Sequence, residues 1–189
     1  MYPGGTAAHT LISVPALADK LCGRSRPGHF DGVATVVSKL FNIIQPDSAF
    51  FGLKDYQQFL VISRLVLDLQ FPLRLVGVDT VREDSGLAMS SRNNYLSGEQ
   101  KQQAASLYRC LQSVVNEVQQ GREDWGALEN AAEALLRENG LRPDYVAVCA
   151  AGTLEPATAE DTDLVVLAAA YLGTTRLIDN IRFTRRTAP

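Results

Sequence analysis

The first part of the chain alternates between helical periodicity and short apolar runs, and this alternation restricts the fold more than any other feature. Apolar residues recur three and four positions apart in "VATVVSKLFNII" and in "KDYQQFLVISRLVLDLQ", which indicates two amphipathic helices. The runs "SAFFG" and "PLRLVGV", one after each helix, are typical of short strands. An alternation of helices and strands predicts a parallel α/β sheet with crossover helices.

Two further elements are predicted before this alternation begins. "HTLISV" alternates apolar and polar residues, which favours a short strand. Pro15 suits the first turn of a helix, and the sequence predicts a helix through "PALADKLC" that Gly23 ends. The stretch "GRSRPGHFDG" that follows is interpreted as a loop.

The pattern changes at Ser97, which has the residue type of a helix N-cap. "SGEQKQQAASLYRCLQSVVNEVQQG" and "DWGALENAAEALLRENG" are predicted helices that end at glycine, and the strand-like runs "YVAVCA", "LVVLAAAYL" and "RLIDNIRF" follow them. Two helices and then three strands predict a small α+β domain with an antiparallel sheet. We therefore expect a parallel-sheet domain in residues 1–82 and the α+β domain in residues 83–189.

Composition excludes several classes of protein. The net charge of −3 and the pI of about 5.4 provide no general positive field for nucleic acid or an anionic membrane. The apolar runs are shorter than the roughly 20 residues of a membrane helix, and the first residues show no signal-peptide pattern. The 3 cysteines lack CxxC spacing, which argues against a disulfide framework or a zinc site. We expect a cytoplasmic protein.

The segment "FFGLKDYQQ" is the first candidate binding site. Ligands of open α/β sheets bind beyond the carboxyl ends of the strands, which is where this segment is predicted to lie. Gly52 would let a ligand approach the backbone, and the helix start supplies unpaired N–H groups. Lys54 opposes the helix dipole there, which favours a bound anion, and Gln58 lies one turn beyond it. Asp55 alone is also explained as a dipole-complementing acid, and Lys54 as a solvated lysine.

The segment "GLAMSSRNNYLS" is the second candidate, after the next predicted strand. Ser90 and Ser91 supply hydroxyl donors and Arg92 supplies a permanent charge, a combination that suits a polyphosphate. Solvated serines and an arginine in a surface loop are the alternative. Because both segments follow neighbouring strands, we expect them to contribute to one site.

Four segments together resemble the pantothenate synthetase family, whose members are also called pantoate–β-alanine ligases. They are "RPGHFDGV", "FFGLKDYQQ", "VGVDTVREDSGLAMSSRNNYLS" and "AYLGTTRLIDN", and the resemblance runs from Met1 to about Phe183. It implies a Rossmann-like ATP-binding domain, of which residues 1–82 would be the carboxyl-terminal part. "MSSRN" stands where related nucleotidylyltransferases and class I aminoacyl-tRNA synthetases carry a KMSKS-type loop. The implied reaction activates pantoate with ATP as pantoyl adenylate, which β-alanine then attacks.

The resemblance implies a role for each matching residue. Gly52 and Asp55 match ligands of the ATP ribose, and Gln58 matches a ligand of pantoate. The implied phosphate ligands are Lys54, Ser90, Ser91 and Arg92. Among them, the catalytic candidates are Lys54, Ser90 and Arg92. The implied adenine pocket contains Val78, Val81 and Met89. Arg26 and His29 match "RPGHF" near the pantoyl end, and a loop tethered to the core is the alternative for them. No general base is evident.

Two departures from the family pattern affect these expectations. Leu53 stands where the family has an acidic or polar residue, with little expected effect because the backbone acts there. The family's amino-terminal portion, with its HIGH-like motif, second pantoate glutamine and Mg²⁺ ligands, has no counterpart from "MYPGG" onward. We therefore expect no metal site in this chain and no pantothenate synthesis by the chain alone. The missing strands would have covered one edge of the sheet, and we expect a homodimer, swapped or otherwise, or another partner to cover it.

Two other classes of function remain open at this stage. A non-catalytic binding or dimerisation module would retain the fold without the complete chemistry. An adenylyltransferase that acts on another small acid or on tRNA would retain the phosphate ligands. The acidic pI disfavours tRNA, and Gln58 within "KDYQQ" favours pantoate.

Overall fold

The computed structural model describes Gly5 and residues 9–186. The chain forms two compact units that divide between Asp79 and Thr80. A two-stranded parallel sheet lies in the first unit and a three-stranded antiparallel sheet in the second, so the predicted mixed α/β class is confirmed. Whether these units are the predicted nucleotide-binding and carboxyl-terminal domains stays a prediction. None of the helices in the described residues is both long and apolar enough to cross a membrane.

Helices and strands alternate in the first unit, as its sequence periodicity predicts. Its elements are α1 (Pro15–Ala18), α2 (Cys22–Ser25), α3 (His29–Ile44), β1 (Ser48–Gly52), α4 (Tyr56–Asp68) and β2 (Arg74–Val78). β1 and β2 pair in parallel, from Ser48 opposite Arg74 to Gly52 opposite Val78. The two strands therefore end side by side, which is the edge where α/β proteins bind ligands.

An apolar core joins α3 and α4 in this unit. Ile62 of α4 is fully buried, and Phe41 of α3 is 6% exposed. The Phe41 ring meets Phe71 edge-on at 5.3 Å between centroids and Phe51 of β1 at 6.4 Å. Such aromatic pairs stabilise packing by about 0.5–1.5 kcal/mol beyond their buried area. This packing fixes both helices and thus the start of α4, where Lys54 and Asp55 precede the first turn.

The predicted strand at "HTLISV" is wrong, because residues 9–14 form no strand. The backbone N–H of Ile12 donates to Thr35 Oγ1 on α3 at 2.9 Å. The Thr35 side chain therefore accepts the hydrogen bond that a carbonyl of a neighbouring strand would accept in a sheet.

The predicted helix through "PALADKLC" is interrupted. Pro15 opens α1 as expected, but α1 ends at Ala18, and α2 begins at Cys22 only after Leu21, where φ is 41°. Gly23 lies inside α2 and does not end a helix, so that prediction is wrong. A Cβ on Gly23 would lie 1.7 Å from the Ala18 carbonyl oxygen, and the two segments can approach this closely only at a glycine.

The second unit contains two long helices and an antiparallel sheet, as predicted. Its elements are α5 (Gly98–Ala104), α6 (Ser106–Gln119), α7 (Trp125–Glu138), β3 (Arg142–Ala150), β4 (Asp163–Leu172) and β5 (Thr175–Thr184), with β4 in the centre. Ser97 is the predicted N-cap: its Oγ accepts from the Gln100 N–H at 3.2 Å, and Gln100 Oε1 accepts from the Ser97 N–H at 2.9 Å. Ala105 separates α5 from α6, where a single helix was expected.

The core of the second unit lies where α6 and α7 contact the sheet. Residues 164–170 of β4 are all buried, which explains why this strand is a continuous apolar run without alternation. Leu111 of α6 and Leu136 of α7 are fully buried. Burial of such a side chain contributes roughly 1.5–3 kcal/mol. The sheet is thereby held rigidly, and β5 can serve as a support for the segment that precedes α5.

The cysteines contribute to the packing. Cys22, Cys110 and Cys149 are buried. Burial raises the pKa of the Cys110 thiol to about 11, and its Sγ–H donates to the Ala132 carbonyl at 3.3 Å. A thiol that stays protonated at neutral pH is a poor nucleophile, so Cys110 has a structural role.

Glu129 of α7 gives a prediction about stability and pH. Its Oε1 accepts the Val148 N–H of β3 at 2.8 Å, and burial is the main cause that raises the pKa of this carboxyl. The folded state therefore binds the proton more tightly than the unfolded state, and stability is lost as the pH rises through the folded pKa. We expect Glu129→Gln, which keeps an acceptor oxygen, to raise the melting temperature at pH 7. The gain should shrink as the pH falls through the raised pKa of Glu129 toward the ordinary carboxyl value.

Thermal unfolding between pH 4 and pH 8 measures this effect. Glu138→Gln, at an exposed position on the same helix, is the matched control. A Glu129→Gln gain that is equally large at both ends of the pH range would contradict the assigned cause.

Candidate functional site

The carboxyl ends of β1 and β2 bring together several of the predicted residues of the first unit. Gly52 pairs with Val78 at the end of the ladder, and Lys54 and Asp55 follow directly in a 3₁₀ turn, Leu53–Asp55, before α4. Lys54 is half-buried, Asp55 is exposed and the Val78 side chain is 45% exposed. An ammonium, a carboxylate and an apolar surface therefore stand at one edge of the sheet, where the N–H groups of a helix start also gather.

Gly52 leaves open space at this edge. A Cβ added there would meet no protein atom within 4 Å. The residue has ordinary extended backbone angles, with φ −68° and ψ 131°. Neither the turn nor the packing requires glycine, which is consistent with a position that a ligand approaches closely.

Leu53 has a packing role that sequence analysis missed. A Cβ on Gly77 of β2 would lie 2.7 Å from Leu53 Cδ2, so the leucine side chain covers the strand at the one position without a side chain. This contact gives a physical reason for an apolar residue between Gly52 and Lys54. Gly77 within "PLRLVGV" was the available signal, since a glycine inside a strand marks a close approach.

The two glutamines of "KDYQQ" have different environments. Gln57 is 4% exposed: its Nε2 donates to the Leu17 and Lys20 carbonyls at 2.8 Å each, and its Oε1 accepts from the Cys22 N–H at 3.1 Å. It therefore ties α1 and α2 to α4. Gln58, the residue expected to bind pantoate, is only half-buried in the first turn of α4. Gln57 thus has a structural role, and Gln58 is the more exposed of the two glutamines.

Arg26 and His29 are brought together. Arg26 Nη1 lies 3.1 Å from His29 Nε2, and the His29 ring contacts the Phe30 ring at 5.0 Å between centroids. His29 was expected in a loop, but it is the first residue of α3. Gly28, with a φ of 75°, provides the left-handed residue through which the chain enters the helix.

An antiparallel hairpin formed by residues 81–89 opens the second unit. The Glu83 N–H donates to the Leu87 carbonyl and the Met89 N–H to the Val81 carbonyl, both at 2.9 Å. The side chains of Val81 and Met89 are 63% and 57% exposed. The structure thus brings together two of the three predicted adenine contacts as an exposed apolar pair.

Ser90 and the 3₁₀ helix Ser91–Tyr95 follow the hairpin, and we call them the serine–arginine turn. Ser90 caps the helix: its Oγ accepts from the Arg92 N–H at 3.2 Å. Arg92 Nη1 donates to the Arg176 carbonyl of β5 at 3.0 Å. Ser91 is exposed. The turn therefore holds two hydroxyls and a guanidinium within three consecutive residues, and one guanidinium nitrogen is already anchored to the sheet.

The geometry leaves donors for a ligand in this turn. Ser90 Oγ uses a lone pair within the turn, which leaves its O–H as a donor. Arg92 has five N–H donors and spends one of them on the Arg176 carbonyl. Within the residues that the structure describes, the Ser90 O–H and the remaining N–H groups of the Arg92 guanidinium donate to no protein acceptor. Donors of this kind bind phosphate oxygens well.

Sequence analysis missed the residues that support this turn. Asn93 is 4% exposed, and its Nδ2 donates to Glu83 Oε1 and to the Ala88 carbonyl at 3.1 Å each. Arg82 of the hairpin pairs with Asp179 of β5. Asp179 lies in "RLIDN", 97 positions after Arg82, so no local sequence pattern could have indicated this ion pair.

Comparisons with known proteins cover almost all of the chain. The family described as Pantoate-beta-alanine ligase matches residues 1–182. The pantothenate synthetase of Pseudomonas fluorescens (strain Pf0-1) is 56% identical over 187 residues, which make up 99% of this chain and 65% of that protein. The crystal structure of pantothenate synthetase from Thermus thermophilus has a TM-score of 0.87 and 44% identity, over 96% of this chain and 65% of that one. The pantoate-beta-alanine ligase from Francisella tularensis, solved in complex with "Beta-gamma ATP" and β-alanine, has a TM-score of 0.72 and 30% identity, over 99% of this chain and 62% of that one. This chain thus spans less than two thirds of the length of these relatives.

Proposed function

Because the chain belongs to the pantoate-beta-alanine ligase family, we propose that the protein condenses pantoate with β-alanine in a reaction driven by ATP. The observation that carries this proposal is the family match over residues 1–182. The activity is proposed for the whole protein, since the chain covers 65% of a relative's length.

The proposed chemistry has two steps. A carboxylate oxygen of pantoate attacks the α-phosphorus of ATP, the bond from that phosphorus to the pyrophosphate oxygen breaks, and pantoyl adenylate forms. The amine of β-alanine then attacks the acyl carbon, gives up a proton to solvent, and displaces AMP. Pantoate is already an anion and the adenylate is already activated, so positioning and charge stabilisation carry the first step without a general base.

The serine–arginine turn is proposed to bind the triphosphate. Negative charge grows on pyrophosphate as it leaves, and Ser90, Ser91 and Arg92 provide donors that are fixed before the reaction. Preorganised donors of this kind lower the barrier because they do not have to reorient as the charge develops. Val81 and Met89, the exposed apolar pair beside the turn, are proposed to contact the adenine.

The edge formed by β1 and β2 is proposed to bind the remainder of ATP and the acid substrate. Lys54 is assigned to the phosphates, the Gly52 N–H and the Asp55 carboxylate to the ribose, and Val78 to the adenine. Gln58 is assigned to pantoate, because it is half-buried whereas Gln57 is buried and bonded to the backbone. Arg26 and His29, which contact each other at 3.1 Å, are proposed to lie near the pantoyl end.

Three further properties are proposed for the whole protein. Mg²⁺ accompanies ATP, but among the described residues no group of three or more His, Cys, Asp or Glu side chains is arranged to hold a metal ion, so no step is assigned to it. The protein acts as a homodimer. It works in the cytoplasm, a reducing compartment in which cysteine thiols such as that of Cys110 persist.

Pantoate-dependent exchange of labelled pyrophosphate into ATP tests the function directly. The protein should be used in the longest form that its gene encodes. We expect exchange that requires pantoate and does not require β-alanine, and we expect net AMP formation only when β-alanine is added.

The other outcomes correspond to the other classes of function. Exchange supported by a different small acid would identify an adenylyltransferase with another substrate. Binding of ATP without exchange under any of these conditions would identify a non-catalytic module and refute the proposal.

A further inference from the structure

The side chain of Arg82 joins the 81–89 hairpin to the sheet of the second unit by hydrogen bonds. Arg82 Nη1 donates to Asp179 Oδ2 at 2.6 Å, and Nη2 donates to Oδ1 at 2.9 Å. Nη1 also donates to the Gly86 carbonyl at 3.1 Å, across the hairpin. The guanidinium carbon stands 3.6 Å above the centre of the Tyr108 ring of α6. Arg82 therefore joins the hairpin, β5 and α6 at a single point.

This attachment is rigid because both side chains are largely shielded from solvent and each makes more than one contact. The Arg82 side chain is 18% exposed and that of Asp179 is 3% exposed. Asp179 Oδ1 also accepts from the Asn180 N–H at 2.8 Å, which fixes the carboxylate. A bidentate pair with these additional contacts has one geometry, which lysine cannot reproduce.

Gly86 shows how closely the hairpin fits this point. Its φ is 89°, and a Cβ there would lie 2.9 Å from Tyr108 Cδ1. The turn of the hairpin therefore rests on the same ring as the Arg82 guanidinium. Hairpin and ring are in contact at two neighbouring places, which leaves little freedom for sliding.

The serine–arginine turn takes its position from the hairpin. Asn93 connects the turn to the hairpin through Glu83 Oε1 and the Ala88 carbonyl, both at 3.1 Å. Arg92 donates to the carbonyl of Arg176, three residues before Asp179 on β5. The turn is thus attached to β5 in two ways, directly through Arg92 and indirectly through Arg82.

We propose that Arg82 is a positioning residue for the reaction: through Asp179 and Tyr108 it sets the place of Ser90 and Arg92, and it does not touch the substrate. This inference rests on the proposed function. Its physical basis is that misplacement of a preorganised group by about 1 Å can lower a rate by up to about 10²-fold. Arg82 has no place in the substrate site assigned above, so its effect should appear in catalysis and not in substrate affinity alone.

The test compares Arg82→Lys and Asp179→Asn with the wild type in the longest form that the gene encodes. Single-turnover formation of pantoyl adenylate at saturating ATP should fall about tenfold in each variant. The double variant should lose no more than the worse single variant, because both changes break the same attachment.

Two control variants separate positioning from general loss of stability. Val118→Ala removes two methyl groups from a core position of α6 that is 1% exposed. Arg182→Lys breaks another bidentate pair on β5, with Asp163, whose nitrogen–oxygen distances are 2.9 and 2.6 Å. We expect both controls to keep the wild-type single-turnover rate. If Arg82→Lys also kept that rate while its melting temperature fell, Arg82 would be only structural and the inference would be wrong.

Amide hydrogen exchange gives a readout that does not depend on activity. The Arg92 N–H donates to Ser90 Oγ and the Asn93 N–H to the Ser90 carbonyl, so both amides report the order of the turn. They should exchange faster in Arg82→Lys than in Val118→Ala. Unchanged exchange would overturn the inference. A wild type that makes no adenylate would refute the proposed function, and the exchange result would still decide whether Arg82 positions the turn.

Discussion

Lys54→Ala is expected to lower the rate of pantoyl adenylate formation by about 10²- to 10³-fold, the scale for removal of one preorganised electrostatic donor. Lys54 lies in the 3₁₀ turn directly after β1, where N–H groups of a helix start already favour an anion. A second positive group at that position stabilises charge as it develops on the phosphates. The side chain is half-buried, so the loss is larger than for a cation in bulk solvent. The measurement is single-turnover adenylation by the longest form that the gene encodes.

Lys39→Ala is the matched control for this prediction. Lys39 is also a half-buried lysine of the first unit, on α3 and outside the assigned site. Both variants should keep a melting temperature near that of the wild type. A Lys54→Ala adenylation rate within a few-fold of the wild-type rate would show that Lys54 is only a solvated lysine at the start of a helix.

The secondary structure that was predictable from the sequence is the part with strong periodicity. α3, α4, α6 and α7 carry apolar residues at helical spacing and were predicted close to their observed positions. β4 was predicted as a strand from the apolar run "LVVLAAAYL", although its residues do not alternate between apolar and polar.

The errors occur where a tertiary contact replaced a local rule. Residues 9–14 alternate as a strand does, yet Thr35 satisfies the backbone of Ile12. The helix from Pro15 ends at Ala18, because Gly23 packs directly against the Ala18 carbonyl. His29 begins a helix where the sequence suggested a loop, because Gly28 takes a left-handed conformation. In each case the deciding partner is a single atom or backbone angle that a periodic pattern does not contain.

The residues of the candidate site also fall into two groups, those that the sequence identified and those that only the structure shows. Residues with distinctive chemistry, such as Lys54 and Arg92, were identified from the sequence, and the family membership is confirmed. The supporting residues were not identified, because Arg82 and Asp179 are 97 positions apart and neither is unusual alone. That the residues of the two units bind the same ATP molecule stays a prediction.

Arg92→Lys is the second substitution for which we expect a large effect, a fall of about 10- to 100-fold in adenylation at saturating ATP. Arg92 spends one nitrogen on the Arg176 carbonyl and offers the rest of its planar fork to phosphate oxygens. A lysine keeps the charge, but its compact ammonium cannot hold the carbonyl and bind two phosphate oxygens in the same geometry. Charge on the leaving pyrophosphate is largest in the transition state, so the rate should fall more than ATP affinity.

Single-turnover adenylation at saturating and at limiting ATP separates binding from chemistry. Ser90→Ala should change the same step in the same direction but more weakly, because a neutral hydroxyl contributes less than a charged donor. Arg137→Lys is the control, since Arg137 forms an exposed pair with Glu133 on α7. If Arg92→Lys left the adenylation rate at saturating ATP unchanged and only raised the ATP concentration needed to reach it, Arg92 would bind ATP equally well in the ground state and in the transition state. The serine–arginine turn would then recognise ATP in its ground state, and the stabilisation of departing pyrophosphate would have to come from other residues.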